Sequence, residues 1–416
     1  MNILLITPSW GHLGGLERYL LDCVHEFTRM GHVCSVVYGY KSDKPVEKEI
    51  TNRLHGIYHI GPLSRFETRQ DSSAVAQLDA ILETVRPETI FMTGVRNFAL
   101  LARLKAHGGL VPMSHDSSLV CMRMTNTTYV CKTICTHKLG VRCLLHGCAV
   151  RKNPDSSGGR FIYNDLRKHQ RLLGVYRDMC THLVTSNFMK QRLVQHGFKP
   201  EQVRVIGCFT NLPPQPLLSF NENPTISFVG RMNRYKGPDY LIRALAEIST
   251  PFRCSVIGDG DYLPYCKELA EKLGLSGVVD FLGWQSTEEI AAHLRTVTIA
   301  VVPSIFPEPF GIVGLEAMMC SKPVVAFEVG GISDWLKDGE TGYLVPVKDI
   351  KTLAQRIESL LLDPQKVAEM GAAGLRFVTN TFTKERHFDR LLSAFREAAN
   401  SPIETGNSAG HFEVLR

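Results

Sequence analysis

Short apolar runs alternate with longer segments of helical periodicity along most of the chain. Residues 2–7 form an apolar run, and Leu16, Leu20, Val24 and Phe27 follow it at near-helical spacing. Similar short runs recur at residues 33–38, 89–93, 110–113, 182–185 and 203–206. Strands that alternate with helices in this way predict a parallel sheet covered by helices.

The alternation stops at residues 211–224 and then begins again. Four prolines interrupt this stretch, at positions 213, 214, 216 and 224, and proline removes a backbone donor and fixes φ. New apolar runs follow at residues 225–229, 254–257, 278–282, 298–302 and 323–327. We therefore predict an α/β fold of two tandem doubly wound, Rossmann-like domains, with a ligand in the cleft between them, at the carboxyl ends of the strands.

The length of the chain agrees with this division, because 416 residues exceed the roughly 250–300 that one hydrophobic core serves. The predicted parts are an N-terminal domain (1–210) with a cysteine-rich basic insertion (117–160), a linker (211–224), a C-terminal domain (225–383), an amphipathic helix (384–400) and a flexible tail (401–416).

The chain shows no sign of membrane insertion or secretion. No apolar run reaches the ~18–20 residues that would cross a bilayer, and the start lacks the basic region and cleavage site of a signal peptide. We therefore expect a cytoplasmic protein in a reducing environment. Its 12 cysteines are then core residues, metal ligands or incidental thiols rather than a disulfide framework.

Positive charge is concentrated in one region. Residues 121–200 contain 14 Lys or Arg and 3 Asp or Glu. A basic face attracts nucleic acid, anionic lipid or a phosphorylated substrate, and a merely solubilising surface is the alternative. Nucleic acid is disfavoured because the basic residues are dispersed without regularly interleaved aromatics. We expect peripheral contact with an anionic membrane through this region.

Glycines and cations follow the first predicted strand of each domain. Gly14 and Gly15 open the first helix, where a ligand can approach the backbone and an anion is favoured; a tight turn is the alternative. In the second domain, Gly230, Arg231 and Lys236 suit a diphosphate, unless they are solvated loop cations. Neither loop matches G-x-G-x-x-G or the P-loop, which disfavours a nicotinamide dehydrogenase or a P-loop kinase.

Residues 304–311 join an apolar run to an apolar helix and include Glu308 in a proline-rich loop. Glu316 lies inside that helix. A carboxylate in apolar surroundings needs hydroxyl or cation partners, which sugar hydroxyls would supply; two structural ion pairs are the alternative. Gly311 allows close approach of a ligand, and the helix N-terminus adds partial positive charge.

His115 and Asp116 end a strand of the first domain. The imidazole could transfer a proton or donate a hydrogen bond, and a satisfied core histidine is the alternative. No G-x-S-x-G elbow is present to indicate a hydrolase.

Five cysteines lie within 28 positions: Cys121, Cys131, Cys135, Cys143 and Cys148. Their spacing contains no C-x2-C pair of the kind found in zinc sites. Structural zinc, disulfides and the absence of a bound cofactor are all left open.

Together these motifs resemble the retaining glycosyltransferases of the large glycogen-synthase-like and mannosyltransferase family, group 1 type, with the GT-B fold. The resemblance spans the chain. It includes G-G-x-E beginning at Gly14, G-R…K-G beginning at Gly230, and the G-D-G turn at Gly258. Its most specific part is E-P-F-G…E from Glu308 to Glu316, the E-x7-E signature.

The resemblance implies a role for each matching residue. The implied catalytic residues are Glu308, His115, Arg231 and Lys236. The implied donor-binding residues are Gly14, Gly15, Gly230, Arg231, Lys236, Gly258, Phe310, Gly311, Ile312 and Glu316. Glu17 and Asp116 would lie on the acceptor side. Arg231 and Lys236 would hold the diphosphate, Glu316 the ribose, and Glu308 the donor sugar, with His115 nearby.

The resemblance also implies the reaction. A hexosyl group would pass with retention from a nucleotide-diphosphate sugar, GDP-mannose or a UDP-sugar, to a glycan or lipid-linked acceptor. No cofactor or metal would be required, because the cations named above can neutralise the leaving diphosphate. The setting would be the biosynthesis of surface polysaccharide, lipopolysaccharide or glycolipid at the inner face of the plasma membrane. The last helix would cross back to the first domain.

Two other readings fit the same fold. A nucleotide-sugar 2-epimerase shares GT-B architecture, but E-P-F-G with E-x7-E disfavours it. A catalytically silent sugar-binding or scaffold subunit is disfavoured by the intact set of Glu308, Glu316, Arg231 and Lys236.

Overall fold

The computed structural model describes residues 1–11, 15–41, 48–61, 63, 72–128, 133–152, 161–216 and 223–400. These residues form two compact units. The first unit comprises Met1–Val184, Lys190–Ile206 and the described residues from Asp389 onward, and the second comprises Thr185–Met189 and Gly207–Phe388. Part of the predicted linker, 217–222, and the predicted tail lie outside the described residues.

The first unit is built on a seven-stranded sheet in which every pairing is parallel. Its strands, in chain order, are β1 (Asn2–Trp10), β2 (Val33–Lys41), β3 (Gly56–His59), β4 (Thr89–Thr93), β5 (Leu110–Ser114), β8 (His182–Val184) and β9 (Val203–Val205). The order across the sheet is β3-β2-β1-β4-β5-β8-β9. The direction of winding therefore reverses between β1 and β4, where open α/β sheets form their ligand crevice.

Helices connect these strands, and a short antiparallel hairpin extends the connection after β5. The hairpin strands are β6 (Val150–Lys152) and β7 (Phe161–Tyr163). The helices are α1 (Gly15–Arg29), α2 (Lys48–Arg53), α3 (Ser72–Val85), α4 (Phe98–His107), α5 (Val141–Leu145), α6 (Leu166–Arg177) and α7 (Asn187–Gln195), with a 3-10 turn at Ser117–Leu119.

The second unit repeats this plan with a six-stranded parallel sheet. Its strands are β10 (Thr225–Val229), β11 (Arg253–Ile257), β12 (Val279–Gly283), β13 (Ile299–Val302), β14 (Val324–Phe327) and β15 (Gly342–Val345). The order across the sheet is β12-β11-β10-β13-β14-β15. The winding reverses between β10 and β13.

The helices of the second unit pack apolar residues against its core. They are α8 (Pro238–Leu245), α9 (Leu263–Lys272), α10 (Thr287–Thr296), α11 (Ile312–Met319), α12 (Ile350–Leu361), α13 (Pro364–Thr381) and the first part of α14 (Lys384–Asn400), with 3-10 turns at Arg234–Lys236 and Gly330–Asp334. In α8, Pro238 occupies the first turn, where its missing N–H costs nothing, and Leu241, Ile242 and Leu245 are buried.

The predicted class, two doubly wound α/β sheets in tandem, is confirmed. The apolar pattern did not predict β3, β15 or the β6–β7 hairpin. These strands have only three or four residues, too few to show a period. The strand β15 forms because Gly342–Val345 pairs in register with β14.

The end of α14 completes the core of the first unit. Phe395 is fully buried, and its ring centroid lies 5.5 Å from that of Phe27 and 5.4 Å from that of Phe91. The Thr89 hydroxyl donates to the Phe395 carbonyl oxygen at 3.0 Å. Three aromatic rings from distant parts of the chain therefore pack against one another in a single cluster.

We expect Phe395→Ala to lower the free energy of unfolding by about 3–5 kcal/mol, because it removes a buried ring and leaves a cavity. Urea denaturation of the full chain measures the change. Arg396→Ala, at the exposed neighbouring position, is the control and should change stability by no more than about 0.5 kcal/mol. A loss below about 1 kcal/mol for Phe395→Ala would contradict this packing.

Candidate functional site

The loop after β10 presents Arg231 and Lys236 at the point where the second sheet reverses its winding. The side chain of Asn233 accepts hydrogen bonds from the backbone N–H groups of Tyr235 (3.0 Å) and Lys236 (3.1 Å), which fixes the 3-10 turn that contains Lys236. Arg231 is exposed and forms no ion pair with a described residue. The loop therefore holds Lys236 in place and leaves the Arg231 guanidinium accessible.

Glycines allow this loop to pack against its neighbours. Gly258 follows β11 with φ +136°, and a Cβ atom there would lie 1.8 Å from the carbonyl oxygen of Gly230. Gly237 has φ +67°, and its Cβ would lie 2.0 Å from the carbonyl oxygen of Pro303. No other residue type fits such approaches. Gly237 and Gly258 thus have a structural reason for being glycine.

The loop after β13 buries a carboxylate beside these cations. Glu308 is 4% exposed. Its Oε1 atom accepts hydrogen bonds from the Lys236 ammonium group and from the Ser304 hydroxyl, both at 2.6 Å. A buried carboxylate is tolerated when a cation and hydrogen bonds compensate its lost hydration, and both are present.

The hydrogen bonds from Lys236 and Ser304 end on the same carboxylate oxygen. No described residue donates a hydrogen bond to the Oε2 atom of Glu308. Lys236 itself is 23% exposed and lies 5.6 Å from the centroid of the Phe306 ring. The site therefore offers one carboxylate oxygen and one partly exposed ammonium group for further hydrogen bonds.

The backbone after Glu308 is held in place by the indole of a tryptophan. Trp335 is fully buried, and its Nε1 donates to the Phe310 carbonyl oxygen at 2.7 Å. Gly311 adopts φ +95° at the start of α11, without a side chain that caps the helix. The first N–H groups of a helix lack intrahelical partners, so Gly311 and Ile312 begin a site suited to ligand oxygens.

Glu316 lies on α11 one turn after Ile312 and is half-buried, as Ile312 is. Residues four apart lie on one face of a helix. The fold therefore places Glu316 and Ile312 on one face of α11. Elsewhere in the second unit, Lys236 and Glu308 are in direct contact.

The remaining predicted residues belong to the first unit. Gly14 lies outside the described residues. Gly15 is exposed and begins α1, and the Glu17 carboxylate accepts a hydrogen bond from the Ser9 hydroxyl. Asp116 accepts a hydrogen bond from the Ser118 backbone N–H at 2.8 Å and so caps the 3-10 turn.

His115 follows β5 and packs on Tyr19, with ring centroids 4.8 Å apart. Burial lowers the pKa of the His115 imidazole from its ordinary value to about 3, so the ring is neutral at physiological pH. Its Nε2 atom is buried without a hydrogen-bond partner among the described residues. An unpaired buried nitrogen is costly, and a substrate hydroxyl would remove that cost.

A cavity of about 370 Å³ opens at this end of the first sheet. It is lined by residues at or just after the carboxyl ends of β1, β4 and β5, among them Ser9, Thr93, Arg96, His115 and Asp116. Thr93 Oγ1 is a second buried atom without a hydrogen-bond partner among the described residues. Two residues that each have an unsatisfied buried polar atom therefore line one cavity.

Thr93 and Arg96 are not among the site residues that the sequence predicts. Each is an ordinary residue type outside any motif. Only the order of the strands could have identified Thr93 as a site residue. It ends the strand beside β1, and the ligand crevice of such a sheet forms there. The sequence also does not predict that Ser304 donates a hydrogen bond to Glu308 or that Trp335 donates one to Phe310.

The cysteine cluster is only partly described, because Cys131 lies outside the described residues. Cys121, Cys135, Cys143 and Cys148 form no disulfide bond with one another. Within the described part of the chain, no three His, Cys, Asp or Glu side chains are arranged to hold a metal ion. In that same part, no helix is long and apolar enough to cross a membrane.

Two family models match consecutive parts of the chain. Residues 13–212 match Glycosyltransferase Family 4, and residues 213–377 match Glycosyl transferases group 1.

Curated relatives match over shorter stretches. A D-inositol 3-phosphate glycosyltransferase of Rhodococcus erythropolis is 37% identical over 184 residues, which are 42% of this chain and 41% of the relative. A GDP-mannose-dependent alpha-(1-6)-phosphatidylinositol monomannoside mannosyltransferase of Mycolicibacterium smegmatis is 32% identical over 189 residues, 42% of this chain and 50% of the relative. The chain thus spans half or less of the length of these relatives.

Solved structures share the fold over nearly the whole chain. Anabaena HepE, in a complex with UDP, has a TM-score of 0.72 at 20% identity and covers 95% of this chain and 100% of its own. The lipopolysaccharide outer core galactosyltransferase WaaB has a TM-score of 0.67 at 16% identity and covers 95% and 99%. With both family models matched in order and this fold, the chain belongs to the group 1 glycosyltransferases with the GT-B fold.

Proposed function

We propose that the protein is a retaining glycosyltransferase that moves a hexosyl group from a nucleotide-diphosphate sugar to a glycan or lipid-linked acceptor. The observation that supports this most directly is the buried Glu308 carboxylate, held by Lys236 and Ser304 where the second sheet reverses its winding. A carboxylate oxygen, an ammonium group and a guanidinium lie on adjacent loops there. These groups suit sugar hydroxyls and a diphosphate.

The donor would bind to the second unit. Arg231 and the remaining donors of Lys236 would contact the diphosphate, and Glu308 Oε2 would accept a hydrogen bond from a sugar hydroxyl. Glu316 would accept hydrogen bonds from the ribose. GDP-mannose and UDP-sugars are the candidates, since the mycobacterial relative is named as GDP-mannose-dependent and HepE was solved with UDP.

Transfer would occur by attack on the face that the diphosphate leaves. The bond from the anomeric carbon to the phosphate oxygen breaks, a bond to the acceptor oxygen forms, and the departing phosphate takes the acceptor proton. Arg231 and Lys236 would stabilise the charge that develops on the diphosphate. This scheme retains the anomeric configuration and needs no metal.

The acceptor would enter the cavity of the first unit. Thr93 Oγ1 and His115 Nε2 both lack partners among the described residues, so a polyhydroxylated acceptor would satisfy them. A neutral His115 can donate or accept a hydrogen bond there. The two relatives above are named for inositol-based acceptors, which belong to this chemical class.

A lipid-linked acceptor would place the protein at the cytoplasmic face of a membrane, in contact through the basic region 121–200.

We expect one nucleotide to raise the thermal stability of the chain above the others. UDP, GDP, ADP, dTDP and CMP would each be added in high excess, because ligand at 100 times its dissociation constant contributes about 2.7 kcal/mol. Differential scanning fluorimetry measures the shift. If none of the five shifts the transition, the scaffold reading gains support, or the donor binds only with its sugar or acceptor present.

We expect Glu308→Gln and Arg231→Ala to lower the rate of transfer by roughly 100- to 1,000-fold, the usual effect of removing one preorganised electrostatic contact. The fold should survive, because the amide can still accept from Ser304 and Arg231 is exposed. Arg234→Ala, an exposed cation of the same loop, is the matched control. Near-unchanged activity in either variant would reject the assignment.

We expect the buried histidines to make the protein less stable in acid. Burial lowers the pKa of both His115 and His182 to about 3, so between pH 6.5 and 3 the unfolded chain binds more protons than the folded one. The free energy of unfolding should therefore fall with decreasing pH in that window, by up to about 1.4 kcal/mol per pH unit for each histidine. His115→Gln and His182→Gln should each flatten this slope in urea denaturation series, and an unchanged slope in both would contradict the pKa assignment.

A further inference from the structure

Helix α5 exposes three large apolar side chains on one face. Val141, Leu144 and Leu145 are 69%, 49% and 77% exposed. Their spacing of i, i+3 and i+4 places them side by side, whereas Cys143 between them is half-buried. We call these three residues the apolar tip.

The apolar tip is held firmly by the residues around it. Leu139 and Cys148, on either side of the helix, are buried. The Leu139 backbone N–H donates to His196 Nε2 at 2.9 Å, and Arg192 donates to the His137 carbonyl oxygen at 3.0 Å. The segment is therefore anchored on α7 and the turn after it, so the exposed face does not result from a lack of packing below it.

Basic residues flank the apolar tip along the sequence. Between Asp116 and Asp155 the sequence has six Lys or Arg and no Asp or Glu. Lys138 and Arg142 are exposed beside the tip. Tyr163, which is 76% exposed, pairs in register with Val150 just after the helix, and tyrosine is enriched at membrane interfaces.

This combination favours a lipid surface over a protein partner. Three side chains cannot supply the about 800 Å² that each partner buries in a stable protein interface. A short apolar face bordered by Lys and Arg, with no acidic residue in the segment, instead matches surfaces that enter the headgroup region of anionic bilayers.

We infer that the apolar tip docks the protein on an anionic membrane, with Val141, Leu144 and Leu145 inserted among the acyl chains and Lys138 and Arg142 at the headgroups. The inference rests on the proposed function for its purpose, which is access to a lipid-linked acceptor. The sequence predicts only membrane contact somewhere in residues 121–200, whereas this inference assigns the insertion to α5.

The test is cosedimentation of the full chain with vesicles of equal parts phosphatidylcholine and phosphatidylglycerol, and with phosphatidylcholine alone. The unchanged chain should bind the anionic vesicles more tightly. The double variant Leu144→Ser with Leu145→Ser should lose roughly tenfold or more in binding, because two leucines no longer enter the bilayer. Arg142→Gln should lose about fivefold, on anionic vesicles only.

Matched controls lie in the second unit. Leu362 is 67% exposed, and Leu362→Ser should bind as the unchanged chain does. Lys272→Gln, at an exposed lysine, controls for net charge. Equal loss in these variants, or full binding by the double variant, would overturn the inference.

Two further readouts separate the inference from its alternatives. If a second copy of the chain covered the apolar tip, sedimentation velocity without lipid would show that the unchanged chain is a dimer and the double variant a monomer. This result would also overturn the inference. The nucleotide-induced stability shift and transfer to a water-soluble acceptor should be unchanged in the double variant. If the unchanged chain binds vesicles but never transfers sugar, the proposed function fails and the docking surface stands.

Discussion

A buried carboxylate must be compensated, and the second unit is arranged around that requirement. Glu308 lies almost fully inside the protein, so its charge depends on Lys236 and Ser304 for the interactions that water would otherwise provide. Asn233 fixes the turn that positions Lys236, and Trp335 fixes the backbone that follows Glu308. A preorganised group of this kind can bind a ligand with little rearrangement, which is the property an enzyme site needs.

The first unit shows the opposite arrangement. Its cavity is lined by Thr93 and His115, each of which has a buried polar atom that no described residue satisfies. Folding tolerates a few such atoms, but each is unfavourable until a ligand pairs with it. The second unit thus contains a buried charge that is already compensated, whereas the first unit contains buried polar atoms without hydrogen-bond partners among the described residues.

The end of the chain and the basic segment give the first unit two further properties. Phe395 fills its core from the last helix, so both ends of the chain contribute residues to the first unit. The segment around α5 exposes three apolar side chains on the surface, although the segment is well anchored. Exposed leucines on a firmly held helix indicate an interaction surface, since apolar residues of an ordinary surface are scattered singly.

The sequence by itself determined the class of fold and the motifs of the second unit. Apolar periodicity is a local property, and the loops with Arg231 and Glu308 follow strands that the pattern identifies directly. Only the tertiary structure decided that Lys236 and Glu308 touch, that Thr93 lines a cavity with His115, and that β15 is a strand. The physical reason is that each depends on residues far apart in the chain: pairing across the sheet brings separate strand ends together, and burial then determines which polar atoms have partners.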